Sequence, residues 1–115
     1  MTSPTTRQFI KNVSKTENQP KASLNPLEPS FFTVKNFSEK ILSENTLRYG
    51  LYLVNTSKNN ISLGFGTKAV LDSGITLVPN AVWCMNESSF YTGDINAIST
   101  RLTGGSNLSI QEFTI

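Results

Sequence analysis

The stretch that decides the fold is LRYGLYLV, residues 47–54. Large apolar residues occupy every second position in it, namely Leu47, Tyr49, Leu51 and Leu53. A period of two residues places these side chains on one face of a β-strand and the intervening ones on the other. The stretch therefore predicts a strand with one buried face.

Further short apolar runs follow this strand to the end of the sequence. They occupy residues 61–65, 69–71, 75–78, 82–85, 95–98 and 108–113. Segments rich in Asn, Ser, Gly and Pro, which favour turns, separate most of them. Upstream, the aromatic and β-branched residues of 30–43 predict one more strand. About seven to eight short strands with a turn signal roughly every 8–12 residues are typical of an all-β protein. The expected fold is an antiparallel β-sandwich, either jelly-roll or immunoglobulin-like.

Residues 1–29 differ in composition from the rest of the chain. They are rich in polar residues and contain four of the five prolines, Pro4, Pro20, Pro26 and Pro29. Such a segment buries too little apolar surface to offset the entropy lost on ordering. We therefore expect residues 1–29 to be an N-terminal arm, flexible alone or extended against a partner, and residues 30–115 to form the β-sandwich domain.

The arm contains one small apolar cluster, formed by Phe9, Ile10 and Val13. Two interpretations stay open: a disordered tail with a chance cluster, or an anchor that inserts into a neighbouring subunit. The anchor hypothesis assigns partner binding to seven residues of the arm. These are Arg7, Phe9, Ile10, Lys11, Val13, Lys15 and Lys21.

The charge distribution argues against nucleic acid as a partner. The net charge of +2 arises within residues 1–30, whereas residues 31–115 contain six basic and six acidic residues. A balanced domain has no basic field to attract phosphates. No apolar run approaches the ~20 residues of a membrane span, so no membrane partner is expected. One cysteine, Cys84, and the lack of a secretory signal at the start fit assembly in a reducing cytoplasm.

The residues that usually carry catalysis are scarce. The sequence has no histidine, the commonest general base and metal ligand. Cys84 is accordingly interpreted as a small apolar residue in a strand. Residues 64–69 match G-x-G-x-x-A, but no helix-forming stretch follows, so the glycines are assigned to a strand-end turn. We expect no catalytic residue, metal or cofactor and no enzyme activity.

Five aromatic residues are candidates for a surface that binds carbohydrate or protein. They are Tyr49, Tyr52, Trp83, Phe90 and Tyr91. In a small β domain an aromatic side chain more often belongs to the core, because it buries a large apolar area. Tyr52 and Tyr91 fall out of phase with their apolar neighbours, and we expect these two to form an exposed aromatic patch.

Residues 48–112 resemble a family of small structural proteins of tailed bacteriophages. The resemblance is carried by the order LYLVNTS (51–57), NISLGFG (60–66), GITLVP (74–79), Trp83, YTGDINAIS (91–99) and LSIQE (108–112). These segments are strands and turns and contain no set of catalytic residues. The resemblance covers a little over half of the chain and leaves residues 1–45 outside it.

The resemblance implies a virion component that is assembled in the host cytoplasm. We expect a capsid decoration or cement protein whose arm anchors it to the capsid. The implied partners are the major capsid protein or other virion proteins, together with further copies of the chain, a trimer being favoured. The alternative is a neck, tail, head-fibre or baseplate component that binds carbohydrate or a receptor.

Overall fold

The computed structural model describes residues 23–115, which form two antiparallel sheets. The strands are β1 (Asn25–Pro26), β2 (Ser30–Val34), β3 (Glu39–Leu42), β4 (Arg48–Asn55), β5 (Ile61–Phe65), β6 (Thr76–Leu77), β7 (Val82–Cys84), β8 (Ile95–Ser99) and β9 (Ser106–Thr114). The sequence predicted seven to eight strands, and the described residues form nine, of which β1 and β6 have only two residues. The 3-10 turn Glu87–Ser89 is the only helical element in this part of the chain.

The two sheets combine strands that lie far apart in sequence. In the five-stranded sheet, β1 and β2 both pair with one edge of β9, and β4 and β7 follow on its other side. The four-stranded sheet has the order β3-β8-β5-β6. The predicted class, an all-β antiparallel sandwich, is confirmed.

The core lies between the two sheets. Its fully buried members come from both of them, for example Leu51 and Leu53 of β4 against Ile61 and Ile95 of β5 and β8. Burying one such side chain contributes ~1.5–3 kcal/mol. Alternation along β4 then directs Tyr52 and its outer neighbours away from the core.

The alternation predicted for residues 47–54 is wrong at its beginning. Leu47 and Tyr49 are exposed, whereas Arg48 is buried. The register between β4 and β9 shifts between Arg48 and Gly50. Such an irregularity moves the preceding side chains to the opposite face of the strand. Leu51 and Leu53 remain on the buried face as predicted.

Arg48 joins the two sheets at one end of β4. Its Nε donates to Oε2 of Glu112 in β9 over 2.7 Å, and both residues are buried. Its other nitrogens donate to the carbonyls of Ser43, Tyr91 and Gly93, which flank β3 and β8 of the other sheet. Because a buried ion pair is stable only when its remaining polar atoms are hydrogen-bonded, these contacts are essential to it. We call this group the Arg48 cluster.

Asn55 performs the equivalent task at the other end of β4. Its Nδ2 donates to the carbonyl of Leu77 in β6 and to that of Asn59, each over 2.7 Å. Its Oδ1 accepts from the backbone N–H and the hydroxyl of Ser57. The amide of this fully buried residue is thus well satisfied, and the ends of β4 are both tied to the four-stranded sheet.

The outer face of the four-stranded sheet is covered by the chain itself. Residues 66–75 cross it, and Ala69 of this loop is almost fully buried. The backbone N–H of Asp72 donates to Oγ of Ser62 over 2.9 Å, and Nδ2 of Asn96 donates to the carbonyl of Thr67. At Gly64 a Cβ would lie 2.5 Å from the Thr67 carbonyl oxygen, so only glycine lets the loop approach. We call this surface the covered face.

Two predicted strands differ from the structure. Residues 30–43 form two strands, β2 and β3, in different sheets, because the chain turns at residues 35–38. The run 69–71 forms no strand and belongs to the loop on the covered face. In the first place one predicted strand is interrupted by a turn, and in the second a short apolar run lies in a loop that buries only Ala69.

The last residues of the predicted arm lie against the five-stranded sheet. Asn25 and Pro26 pair with Thr114 and Phe113, and the N–H of Leu27 donates to the carbonyl of Glu112 over 2.8 Å. Gln111 donates through its side chain to the carbonyl of Leu27. Residues 1–22, which include every predicted anchor residue, lie outside the described residues.

Candidate functional site

The five-stranded sheet presents an outer face that no other part of the described chain covers. We call it the bare face and define it by the outward side chains of β2, β4, β7 and β9. They are Phe31, Thr33, Tyr52, Val54, Val82, Cys84, Asn107, Ser109, Gln111 and Phe113. None of them is Asp, Glu, Lys or Arg. The bare face is therefore an uncharged sheet surface.

The strand register arranges the bare face in rows that cross the whole sheet. One row runs from Phe31 through Ser109 and Val54 to Val82. Phe31 is 67% exposed and Val82 57% exposed, at opposite ends of this row. Cross-strand neighbours on one face lie close enough for their side chains to contact. The row is thus a continuous strip of side chains with an exposed apolar group, Phe31 or Val82, at each end.

A shallow depression lies between this row and the next, which contains Tyr52 and Gln111. It has a volume of about 240 Å³ and lies between Tyr52 and the start of β2 at Pro29 and Ser30, with Ser109 and Gln111 among its lining residues. The ring of Tyr52 meets that of Phe113 edge to face, with centroids 6.1 Å apart. The hydrogen bond from Gln111 to the carbonyl of Leu27 holds the other wall. Each wall is therefore held by a contact within the chain.

A second candidate site is a cleft beside the 3-10 turn. It has a volume of about 650 Å³ and is lined by Tyr49, Met85, Asn86, Glu87 and Phe90. The rings of Tyr49 and Phe90 meet edge to face at 5.7 Å, and both are about half exposed. Asn86 caps the turn by accepting from the N–H groups of Ser88 and Ser89. We call this the aromatic cleft.

The remaining candidate aromatics lie next to the aromatic cleft but are held by the core. Phe65 contacts Trp83 and Tyr91, with centroids 5.1 and 5.5 Å apart. The hydroxyl of Tyr91 donates to the carbonyl of Asp94 over 3.0 Å. A Cβ at Gly66 or Gly93 would lie within 2.6 Å of this hydroxyl oxygen, so Tyr91 is seated between two glycines. Phe90 lines both the aromatic cleft and the small depression beside Trp83.

The two tyrosines that the sequence proposed as one patch belong to different groups. Tyr52 is exposed on the bare face and contacts Phe113. Tyr91 is half-buried and packs on Phe65. The aromatic pair that the fold does bring together at the surface is Tyr49 with Phe90. Sequence alone could not pair them, since they are 41 positions apart and meet only through the 3-10 turn.

The bare face itself was missed by the sequence analysis, although a signal for it exists. The outward positions of β2, β4, β7 and β9 lack charged residues and include Phe31, Val54, Val82 and Phe113, whereas an outward strand face in water is usually polar. Phe31 and Val82 were interpreted only as members of strands. The missing charges become visible as one surface only after the four strands are placed side by side.

Two motifs weighed in the sequence have structural roles. Gly66 has a φ of +73°, the left-handed conformation of a strand-end turn, and no helix follows it. Cys84 lies in β7, as expected, but is exposed on the bare face.

Among residues 23–115, no group of three or more His, Cys, Asp or Glu side chains is placed to hold a metal ion. No helix in the same range has the length and apolarity to cross a bilayer.

Comparison of the chain with protein-family models, with curated proteins and with solved structures found no match.

Proposed function

We propose that the protein is a non-enzymatic structural component of a tailed-bacteriophage virion, a capsid decoration protein anchored by its N-terminal segment. The observation that carries the proposal is the attachment of β1 to β9. Backbone pairing at Asn25–Pro26 and the bond from Leu27 to Glu112 tie the chain to the sheet where residues 1–22 lead into it. A force on the anchor is then transmitted to β9, which lies inside the five-stranded sheet.

The composition of residues 1–22 suits binding to a protein surface. The segment has four basic residues and one acidic residue, and its apolar cluster is Phe9, Ile10 and Val13. A segment that orders on binding covers a large surface with few residues. In this proposal the apolar residues bind the capsid surface, and the basic residues pair with acidic groups on the major capsid protein or another virion protein.

The described part of the chain suits a rigid element rather than a reaction centre. Its buried ion pair is fully engaged with carbonyls of the other sheet, and its buried amide, Asn55, bonds the turns at the opposite end. These groups hold the sheets together. A domain stiffened at both ends of β4 keeps its outer surfaces in one shape on a particle.

The test is the presence and copy number of the chain in particles. An antibody against the chain is used on virus particles that have been purified by density gradient from the lysate in which the chain is produced. Hundreds of copies per particle support decoration. About 3 to 18 copies, as ring symmetry gives, support a neck, tail, head-fibre or baseplate component instead. Particles without the chain contradict the proposal.

The anchor is tested by deletion of residues 1–22, which leaves β1 in place. The truncated chain is expected to keep the thermal unfolding of the full chain but to lose cosedimentation with those particles. The double variant F9A/I10A in the full chain is expected to do the same. Persistence of the full chain on particles at 1 M salt, where the Debye length is ~3 Å, indicates that apolar contacts dominate. Unchanged binding of the truncated chain contradicts the anchor.

Carbohydrate binding is a second candidate function, and the aromatic cleft favours it. Aromatic rings beside amide and carboxylate groups are the combination that binds sugars, and Tyr49, Phe90, Asn86 and Glu87 supply it in one cleft. A glycan array with the purified chain tests this function. Binding that is lost in Tyr49→Ala and kept in Tyr52→Ala supports the aromatic cleft. The absence of any signal contradicts it.

A further inference from the structure

We infer that the bare face is a self-association surface, on which a second copy of this chain packs through the same face. The pairing concerns the chain in solution and does not depend on attachment to a virion. In a two-fold contact each residue meets the same surface on the partner, so the surface must be complementary to itself. Two properties of the bare face, its charge and its shape, meet this condition, and its size predicts how strong the association is.

The charge argument is that a surface without charged groups faces its own copy without repulsion. Ten outward side chains on four strands include no Asp, Glu, Lys or Arg. Like charges brought together between two copies would oppose association. The polar members, such as Thr33, Asn107 and Gln111, carry both donors and acceptors and can bond to their own kind. The bare face therefore suits a second copy better than a charged partner.

The shape argument rests on a projection and a depression that lie side by side. Phe31 is 67% exposed and pairs across the sheet with Ser109, which lines the depression of about 240 Å³. A two-fold axis that runs across the strands, along the row of Phe31, Ser109, Val54 and Val82, lays the four strands of one copy over those of the other. The two Phe31 rings then meet beside the depression, and the two Val82 side chains meet at the far end of the row. A pair of aromatic rings buries a large apolar area.

The size of the bare face predicts a weak and reversible pair. Four strands at a spacing of ~4.8 Å are about 19 Å wide, and β9 from Asn107 to Phe113 is about 20 Å long. The footprint is roughly 400 Å² per copy, about 800 Å² for two. Stable complexes bury at least ~1,200 Å². We therefore expect association in the micromolar to millimolar range.

The N-terminal segment of the same chain is a less suitable occupant. Residues 1–22 contain Arg7, Lys11, Lys15, Glu17 and Lys21, and the bare face offers none of these a charged partner. Burying an unpaired charge costs more free energy than the neighbouring apolar contacts return. A second copy brings no such cost.

The experiment is sedimentation equilibrium of the purified full chain over a range of concentrations. We expect a monomer–dimer equilibrium whose dissociation constant rises at least tenfold in Phe31→Asp. The control is Phe37→Asp, since Phe37 is 55% exposed but lies in the turn between β2 and β3. It should leave the constant unchanged. Because both residues are exposed, both variants should fold, which circular dichroism checks.

A second pair of variants tests the far end of the same row. Val82→Lys on the bare face is expected to weaken association, whereas Val78→Lys, at a similarly exposed position outside it, is not. A chain that remains monomeric at millimolar concentration overturns the inference, and so does equal weakening by the members of either pair. If deletion of residues 1–22 abolishes association while Phe31→Asp does not, the N-terminal segment is the contact, and the inference is also wrong.

Discussion

The two sheets differ in how far the rest of the chain covers their outer faces. On the four-stranded sheet, the loop of residues 66–75 covers the strands, and Ser62, Gly64 and Ala69 are buried beneath or within it. On the five-stranded sheet, the outward side chains of β2 and β7 and that of Tyr52 in β4 remain exposed although they carry no charge. The covered face therefore contributes to stability, whereas the bare face is available for contacts. The difference lies in the connections. β5 and β6 are neighbours in their sheet and consecutive in the chain, and the loop that joins them is long enough to fold back over the sheet. In the five-stranded sheet the neighbours β4 and β9 are not consecutive, so no such loop joins them.

The largest effect is expected from Arg48, which serves both sheets at once. Arg48→Met leaves the carboxylate of Glu112 buried and without its cation. Removing one partner of a buried pair costs about 3–5 kcal/mol. Urea unfolding should show this loss as a transition at lower denaturant. Arg101→Met, in an exposed loop, is the control and should stay within about 0.5 kcal/mol. A small loss in Arg48→Met would mean that the Arg48 cluster is not what holds the sheets together.

A charge placed under the loop should have the next largest effect. Ala69→Asp puts a carboxylate at a position that is 2% exposed, and we expect a loss of about 2–4 kcal/mol in the free energy of unfolding. Its neighbour provides the control, because Val70 is exposed on the same loop. Val70→Asp should change stability little in thermal melts. Equal effects of the two substitutions would show that the loop does not seal the covered face.

Two serines allow the faces to be compared by the same substitution. Ser62 accepts from the N–H of Asp72 and shares a hydrogen bond of 2.8 Å with Thr76. Ser62→Ala removes both of these partly buried hydrogen bonds. We expect a loss of about 1–2 kcal/mol. Ser109→Ala on the bare face should cost clearly less. The measurement is chemical denaturation of both variants in parallel, and a larger effect at Ser109 would reverse the assignment of the two faces.

The smallest effect is expected for a charge on the bare face of the monomer. Val82→Lys should change the free energy of unfolding by no more than about 0.5 kcal/mol at dilute concentration, because the side chain is already in water. Dilute thermal unfolding followed by circular dichroism measures it. A loss as large as that of Ala69→Asp would indicate that the bare face is packed against another part of the chain.

The sequence was sufficient for the class of fold and for most strands, because the period of two survives wherever a strand is regular. It failed where contacts between distant residues decide the structure. The burial of Arg48 depends on Glu112, which lies 64 positions away, and on a local register shift. The apolar run 69–71 was interpreted as a strand because composition alone does not distinguish a strand from a loop that packs on a sheet.

The candidate sites were harder to predict than the fold. An aromatic cleft needs Tyr49 and Phe90 to meet, and a bare face needs four strands to be put in order. Tyr52 and Tyr91 both fall out of phase in the sequence, yet they lie in different aromatic groups. Periodicity indicates whether a side chain leaves the core, but not which neighbours it finds there.

The pairing of β1 with the end of β9 also bears on how the molecule can be used to present other peptides. Asn25 lies opposite Thr114, so a peptide fused after Ile115 begins at the end of the sheet where β1 lies. If the proposed anchor holds that end against a particle, the fused peptide faces the particle as well. The loop of residues 101–105 precedes β9, at its other end, and nine residues of strand separate the two sites by about 30 Å. Leu102 in this loop is the most exposed large apolar side chain described, and a peptide inserted there would be displayed outward.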